Sequence, residues 1–214
     1  MQEPYGRAAW LKLGILTEED SNMSDDESSW LTLASRQIAA RINPLGAQLS
    51  ELRDHAANNL LWNGDPAVWS GRAPLLFPIV GALAGGTYRL NSKAYALPRH
   101  GFARGKRFEV IAASAAHALL RMKSDETTLT IYPFRFELDM HYEIEDSTLA
   151  LTALVRNSGD APLPASFGFH PAFLWPLPFG RPRADHYLEF EKDEPAPIRR
   201  LNSQVPLSLA QLGQ

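Results

Sequence analysis

The sequence predicts an all-β protein, a large antiparallel β-sandwich, and three features of the chain favour this fold class. From Trp30 onward, apolar and polar residues alternate with a period of two, which is typical of strands with one buried face. Turn-forming residues separate the alternating segments at short intervals, and no segment after Trp30 keeps a helical apolar stripe for three turns. We therefore expect about ten or more short strands.

The first part of this region contains a predicted hairpin followed by further strands. The predicted strands are residues 88–90, 94–97, 108–112, 118–122 and 127–131. Asn91, Ser92 and Lys93 are turn formers and join the first two strands into the hairpin. A second set of turn formers, residues 124–126, leads into the strand at 127–131.

The strongest strand prediction covers residues 134–145. Apolar residues from Phe134 to Ile144 alternate there with polar residues from Arg135 to Glu145, so one face of the strand is expected in the core and the other in water. After the turn residues Asp146 and Ser147 the alternation continues through residues 149–155, which predicts a second hairpin. A last strand is predicted to begin at His186, in the sequence HYLEFE.

Composition excludes several classes of protein. The chain has 214 residues, 21 Lys and Arg against 24 Asp and Glu, and no cysteine. Disulfides, thiolate metal sites and a cysteine nucleophile are therefore excluded. The net charge of −3 argues against a nucleic-acid partner or a polybasic membrane anchor. No segment approaches 18 consecutive apolar residues, so we expect no membrane span and a cytoplasmic protein that handles small neutral molecules.

The chain divides into a leader and one domain. Residues 1–28 mix an interrupted apolar patch with an acidic, serine-rich stretch, and we expect them to be loosely ordered. Residues 29–214 are expected to form a single β-sandwich domain. Its last residues, 201–214, are typical of an interior loop or the beginning of another strand, so we expect the domain to lack its C-terminal strands.

Two histidines stand in unusual surroundings. His100 and His170 each interrupt a loop of apolar residues and glycines, where an imidazole is either a satisfied core group or part of a pocket. The remaining four are interpreted as surface or turn residues: His55, His117, His141 and His186.

Arginines supply the other candidate site residues. Arg72 directly precedes an apolar, proline-containing run and needs a partner if it is buried. Arg99, Arg104, Lys106 and Arg107 form a short basic run beside Phe102. This run is either a solvated loop or a site that captures an anionic group such as a sugar phosphate.

Six short motifs follow one another along the chain: INPLGA at 42–47, LWNGDP at 61–66, GRAPLLFPIVG at 71–81, HGFAR at 100–104, YPF at 132–134 and GFHP at 168–171. Together and in this order they resemble the aldose 1-epimerase (galactose mutarotase-like) family, in particular its bacterial LacX-type branch. The resemblance covers about residues 30–190 and implies a large twisted β-sandwich with a sugar cleft on one sheet. It also implies interconversion of the α and β anomers of a free hexose by acid and base catalysis, with no cofactor and no metal.

The resemblance implies a role for each candidate residue. His170 is expected to be the general acid, His100 to hold the sugar near C1 and the ring oxygen, and Arg72 and Arg104 to bind the substrate. The general base of the family is a glutamate in one of its last strands, and this sequence has no such motif before Gln214. A truncated, inactive epimerase, a non-catalytic carbohydrate-binding or regulatory protein, and a sugar-phosphate mutarotase therefore all remain open, as does a homo-oligomer.

Overall fold

The structure, a computed structural model, describes residues 27–193 and 195. Within them, antiparallel strands dominate and one short α-helix is present, which confirms the all-β fold class. The strands in chain order are β1 Leu31–Ala34, β2 Ile38–Asn43, β3 Gln48–Asp54, β4 Leu75–Leu76, β5 Thr87–Leu90, β6 Lys93–Ala96, β7 Glu109–Ala113, β8 His117–Lys123, β9 Phe136–Glu145, β10 Thr148–Asn157 and β11 Gly168–Phe169. The helix is α1, Glu126–Ile131.

The strands form two larger sheets and two short ribbons. One sheet has the order β1-β2-β3 and the other β10-β9-β8-β7, while β11 pairs with β4 and β5 pairs with β6. Every pairing between these strands is antiparallel. The hairpin predicted around residues 91–93 is present as β5 and β6.

The second predicted hairpin is present as β9 and β10, paired from Glu145 opposite Thr148 to Phe136 opposite Asn157. Phe134 and Arg135, which were predicted to begin the first strand, precede it. On β9 the alternate residues Leu138, Met140 and Tyr142 are fully buried. The Tyr142 hydroxyl donates a hydrogen bond to the carbonyl of Ala47, which links this sheet to the turn between β2 and β3. Burial raises the pKa of Tyr142, so the hydroxyl stays a donor.

The opposite face of β9 carries a buried carboxylate, Asp139, whose side chain is 1% exposed. Arg121 on β8 donates to both of its oxygens, at 2.6 and 2.7 Å, and Arg156 on β10 donates at 2.7 Å. Burial by itself raises the pKa of Asp139, but the hydrogen bonds from the two arginines outweigh it and the pKa is lowered. The ion pair therefore joins three neighbouring strands.

The prediction of a strand at residues 127–131 is wrong, because this segment belongs to the helix α1. The Asp125 side chain accepts a hydrogen bond from the Thr128 amide, and the Thr128 hydroxyl accepts one from the Asp125 amide. This reciprocal capping box starts a helix where we predicted a turn. Burial by itself raises the pKa of Asp125, but the hydrogen bonds from the Thr128 amide, the Thr127 hydroxyl and Lys106 outweigh it, so the pKa is lowered overall.

The strand predicted to begin at His186 is also absent. A single 3₁₀ turn, Arg183–Asp185, ends at His186, and residues 186–190 have no strand partner within the described residues. Tyr187, Leu188 and Phe190 are each at least half exposed, so their alternation is not matched by a buried face. Of the predicted leader only residues 27 and 28 are described, and residues 201–214 lie outside the described part. No helix in the described part is long and apolar enough to cross a membrane.

Candidate functional site

The two-residue strand β4 organises the candidate site. On one side it pairs with β11, with Gly168 opposite Leu76. On the other side Phe77, the residue after β4, forms a parallel bridge with Gly101. The loops that carry His170 and His100 are thereby held on the two sides of one short strand.

Gly101 makes the bridge to Phe77 possible. Its φ is +72°, and a Cβ at this position would lie 2.1 Å from the carbonyl oxygen of Phe77. The same carbonyl accepts hydrogen bonds from the amides of Phe102 and Ala103, at 3.0 and 3.2 Å. Only glycine allows the two backbones to lie this close.

His100 is fixed by backbone hydrogen bonds. Its own φ is +67°, its amide donates to the carbonyl of Gly81 at 2.8 Å, and its carbonyl accepts from the amide of Phe77 at 3.2 Å. The Gly81 amide donates to Nδ1 of the ring at 3.0 Å. When this bond is made, a neutral ring carries its proton on Nε2, because a neutral imidazole accepts at only one nitrogen.

A second donor approaches the other ring nitrogen of His100. Nε of the exposed Arg99 lies 3.2 Å from Nε2. The Arg99 Nε–H points at Nε2 as a donor, and because a neutral imidazole accepts at only one nitrogen, this contact and the Gly81 bond exclude each other. The Gly81 amide is held by the backbone, and the Arg99 side chain is therefore the one that must move when Nε2 donates to a ligand.

His170 directly follows β11 and is half-buried. Its ring lies 6.4 Å from that of His100 between centroids, with the two planes only 23° apart. Trp69 contacts the His170 ring edge-on at 5.3 Å. Trp69 was not predicted as a site residue, although it stands three residues before Arg72 in the same loop.

The backbone of Arg72 is tied to the rest of the site. The amides of Arg72 and Ala73 both donate to Oε1 of Gln48, at 3.0 and 3.1 Å. The Arg72 carbonyl accepts from the amide of Ala172 at 2.9 Å, two residues after His170. Gln48 was not predicted as a site residue, because nothing in the sequence relates it to a loop 24 positions away.

The Arg72 side chain is mostly buried and has partners at two of its three nitrogens. Its Nε donates to the carbonyl of Asn63 at 2.9 Å, Nη2 lies 3.7 Å from the Glu27 carboxylate, and the guanidinium lies 4.8 Å from the ring centroid of Trp30. Gly64 packs so closely that a Cβ there would lie 2.7 Å from Nε. Nη1 is buried and has no hydrogen-bond partner in the described part of the chain.

The basic run predicted around Arg104 does not act as one cluster. Arg104 lies in the 3₁₀ turn Ala103–Gly105 and is half-buried, and its carbonyl oxygen would lie 2.7 Å from a Cβ on Gly46. Lys106 instead forms an ion pair with Asp125 at 3.2 Å, at the N-terminus of α1. Arg99 and Arg107 are exposed.

The candidate site thus comprises Arg72, His100, His170 and the unpredicted Trp69, with Arg99 beside His100. These groups offer donors for hydroxyl oxygens and two imidazoles for proton transfer. Among residues 27–193 and 195, no group of three histidines or carboxylates could hold a metal ion.

Comparisons with known proteins agree on one family. The sequence profile of the aldose 1-epimerase family matches residues 29–209. The plasmid and chromosomal LacX proteins of Lactococcus lactis subsp. lactis are each 30% identical over 174 residues, which cover 78% of this chain and 58% of theirs.

Solved structures give the same result. A galactose mutarotase related enzyme from Lactobacillus acidophilus matches with a TM-score of 0.69 and 31% identity, over 71% of this chain and 51% of that one. A galactose mutarotase-like protein from Lactobacillus casei matches with a TM-score of 0.66 and 33% identity, over 68% and 50%. The chain therefore spans only half to three-fifths of the length of these relatives.

Proposed function

Because the chain belongs to the aldose 1-epimerase family, we propose that it binds a free hexose beside His100 and His170 and interconverts its α and β anomers. The observation that carries this proposal is the pair of nearly parallel imidazole rings, 6.4 Å apart between centroids. The loops that carry the two rings are both attached by backbone pairing to residues 75–77, which supports a defined separation of the imidazoles.

In this reaction His170 is the general acid. It donates a proton to the ring oxygen as the bond between that oxygen and C1 breaks, while the C1 hydroxyl loses its proton to a base and becomes the aldehyde. Rotation about the C1–C2 bond and the reverse proton transfers give the other anomer. The reaction involves no net oxidation, and all atoms of the sugar are retained.

His100 and Arg72 bind and orient the sugar. The Gly81 amide on Nδ1 makes Nε2 of His100 a donor, which suits an oxygen at or near C1. The Arg72 guanidinium keeps 17% of its side-chain surface exposed and donates to sugar hydroxyls. Arg104, half-buried four residues after His100, is the second arginine that we assign to the substrate.

The base that accepts the C1 proton is the part of the mechanism to which we assign no described residue. Binding by Arg72, His100 and His170 does not depend on it, whereas ring opening does. A carbohydrate-binding protein without catalysis is therefore the second candidate function, and it has the same site.

Polarimetry separates these functions. Freshly dissolved α-D-glucose and α-D-galactose are followed with and without the folded protein, and hexose binding is measured by calorimetry on the same sample. Faster mutarotation than in buffer supports the epimerase, and saturable binding without acceleration supports the binding protein. A folded chain that shows neither result refutes both proposals.

A sugar phosphate is a more specific substrate proposal, and Arg99 favours it. Its guanidinium nitrogen, 3.2 Å from the His100 ring, places a positive charge at the edge of the site. Glucose 6-phosphate is then expected to bind more tightly than glucose, and Arg99→Gln to remove the difference. The control is Arg36→Gln, which removes an exposed arginine between β1 and β2. Equal affinities for the two ligands contradict the phosphate preference.

A further inference from the structure

Trp30 packs against two arginines at the edge of the candidate site. The centroid of its ring lies 4.7 Å from the guanidinium carbon of Arg41 and 4.8 Å from that of Arg72. Trp30 directly precedes β1, and Arg41 lies on β2 opposite Thr32. The β1–β2 pairing brings the indole to Arg41, and the loop that carries Arg72, more than 40 positions away in the sequence, reaches the same ring.

Glu27 supplies the counter-charge for both arginines. Its carboxylate lies 3.5 Å from Nη1 of Arg41 and 3.7 Å from Nη2 of Arg72. Its carbonyl also accepts from Nη2 of Arg41 at 2.6 Å. Because the Glu27 side chain is 54% exposed, these ion pairs are screened by water, and the aromatic contact is the more persistent of the two restraints.

Trp30 itself is only 6% exposed, so it is not placed to touch a sugar. Its effect on a ligand is transmitted through Arg72, whose Nε is already bonded to the Asn63 carbonyl. An aromatic face over a guanidinium leaves the N–H edge of the group available in the plane. An arginine restrained in this way loses its conformational entropy when the protein folds instead of when the ligand binds.

We infer that Trp30 is a positioning residue that holds the Arg72 guanidinium in the orientation used to bind sugar hydroxyls. The inference rests on the proposed function of the site. Neither the family motifs nor the sequence pattern identified Trp30 as more than the start of the first strand.

The test compares Trp30→Leu and Trp30→Phe with a control from the same segment, Leu33→Ala. Leu33 is fully buried on β1, so its truncation destabilises the same strand without removing an aromatic face. Hexose affinity is measured by calorimetry for each folded variant. We expect Trp30→Leu to weaken binding roughly 5- to 30-fold, the range of a cation–π contact away from water.

The conservative variant and the control decide the cause. Trp30→Phe keeps an aromatic face and is expected to recover most of the affinity, while Leu33→Ala is expected to bind as the wild type does. If the protein turns over sugar, KM rises in Trp30→Leu and kcat changes less than about twofold, since the lost interaction is one of binding. Wild-type affinity in Trp30→Leu, or an equal loss in Leu33→Ala, overturns the inference.

A sugar-free measurement separates this inference from the proposed function. The Nε–H resonance of Arg72, assigned by its absence in Arg72→Lys, is expected to be displaced by the ring current of Trp30. The displacement should disappear in Trp30→Leu. If the resonance is not displaced in the wild type, the Trp30 ring does not lie over the Arg72 guanidinium and the inference is overturned. This result needs neither an activity measurement nor a folded Trp30→Leu variant. A displaced resonance in a chain that binds no hexose overturns the proposed function, and the role of Trp30 in sugar binding falls with it.

Discussion

Replacing Gly101 with alanine tests how the His100 loop is attached to β4. The substitution has two costs. Alanine at a φ of +72° is disfavoured by about 1 kcal/mol relative to glycine. Its Cβ would also lie 2.1 Å from the Phe77 carbonyl oxygen and 2.6 Å from the Pro78 nitrogen. Both atoms are backbone, so no flexible side chain can move away.

The second cost is of the size seen when extra atoms are forced into packed interiors. We expect a further loss of about 1–3 kcal/mol in the free energy of unfolding. Gly86→Ala is the matched control, because Gly86 has a φ of +68° and open space around a Cβ. It is expected to lose only the backbone contribution of about 1 kcal/mol.

Urea unfolding, followed by circular dichroism and by tryptophan fluorescence, measures both variants. Gly101→Ala should be less stable than Gly86→Ala by about 1–3 kcal/mol and should also bind hexose more weakly, because His100 precedes it. If the two variants are equally stable, the close contact with Phe77 does not constrain the site and the reasoning is refuted.

Three other predictions concern the site and the sheet that supports it. His170→Ala should abolish any acceleration of mutarotation without changing the melting temperature, while His55→Ala, in an exposed turn, should retain it; an active His170→Ala excludes this histidine as the acid. Folding lowers the pKa of Asp139, so the ionised carboxylate stabilises the folded protein at neutral pH. This stabilisation is lost as the pH falls below the ordinary aspartate pKa of about 4. Asp139→Asn should therefore lower the free energy of unfolding by roughly 1.5–3 kcal/mol at pH 7. The difference in stability between the wild type and this variant should become smaller in acid, and a difference that does not change with pH contradicts the prediction. Tyr142→Phe removes the buried donor to the Ala47 carbonyl and should cost about 1–3 kcal/mol, whereas an unchanged urea midpoint would show that this hydrogen bond does not contribute.

The fold could be predicted from the sequence where burial alone decides the structure. Apolar and polar residues alternate along residues 136–145 because one face of β9 lies in the core, and the predicted hairpin with β10 is present. The segment at 127–131 was misassigned because its local chemistry outweighs its composition. Threonine and isoleucine favour strands, but the capping box between Asp125 and Thr128 starts a helix.

The candidate site was predictable only in part, for a related reason. His100 and His170 stood out because imidazoles are unusual in apolar glycine loops. Trp69, Gln48 and Trp30 did not stand out, because the sequence around them is ordinary and they reach the site only in the folded chain. Arg72 was expected to need a partner if buried, but its contacts are with Trp30, just before β1, and Gln48, the first residue of β3. No local sequence pattern relates these positions to Arg72.

The two-residue strand β4 serves as a common reference for both histidines. The backbones of both histidine loops are hydrogen-bonded to residues 75–77, and Phe77 packs on Phe136 of β9 at 5.0 Å between ring centroids. A substitution in these three residues therefore acts on both imidazoles at once, whereas a substitution in the four-stranded sheet reaches them through contacts such as Phe136. Changes in residues 75–77 should accordingly weaken sugar binding even where the larger sheets stay intact.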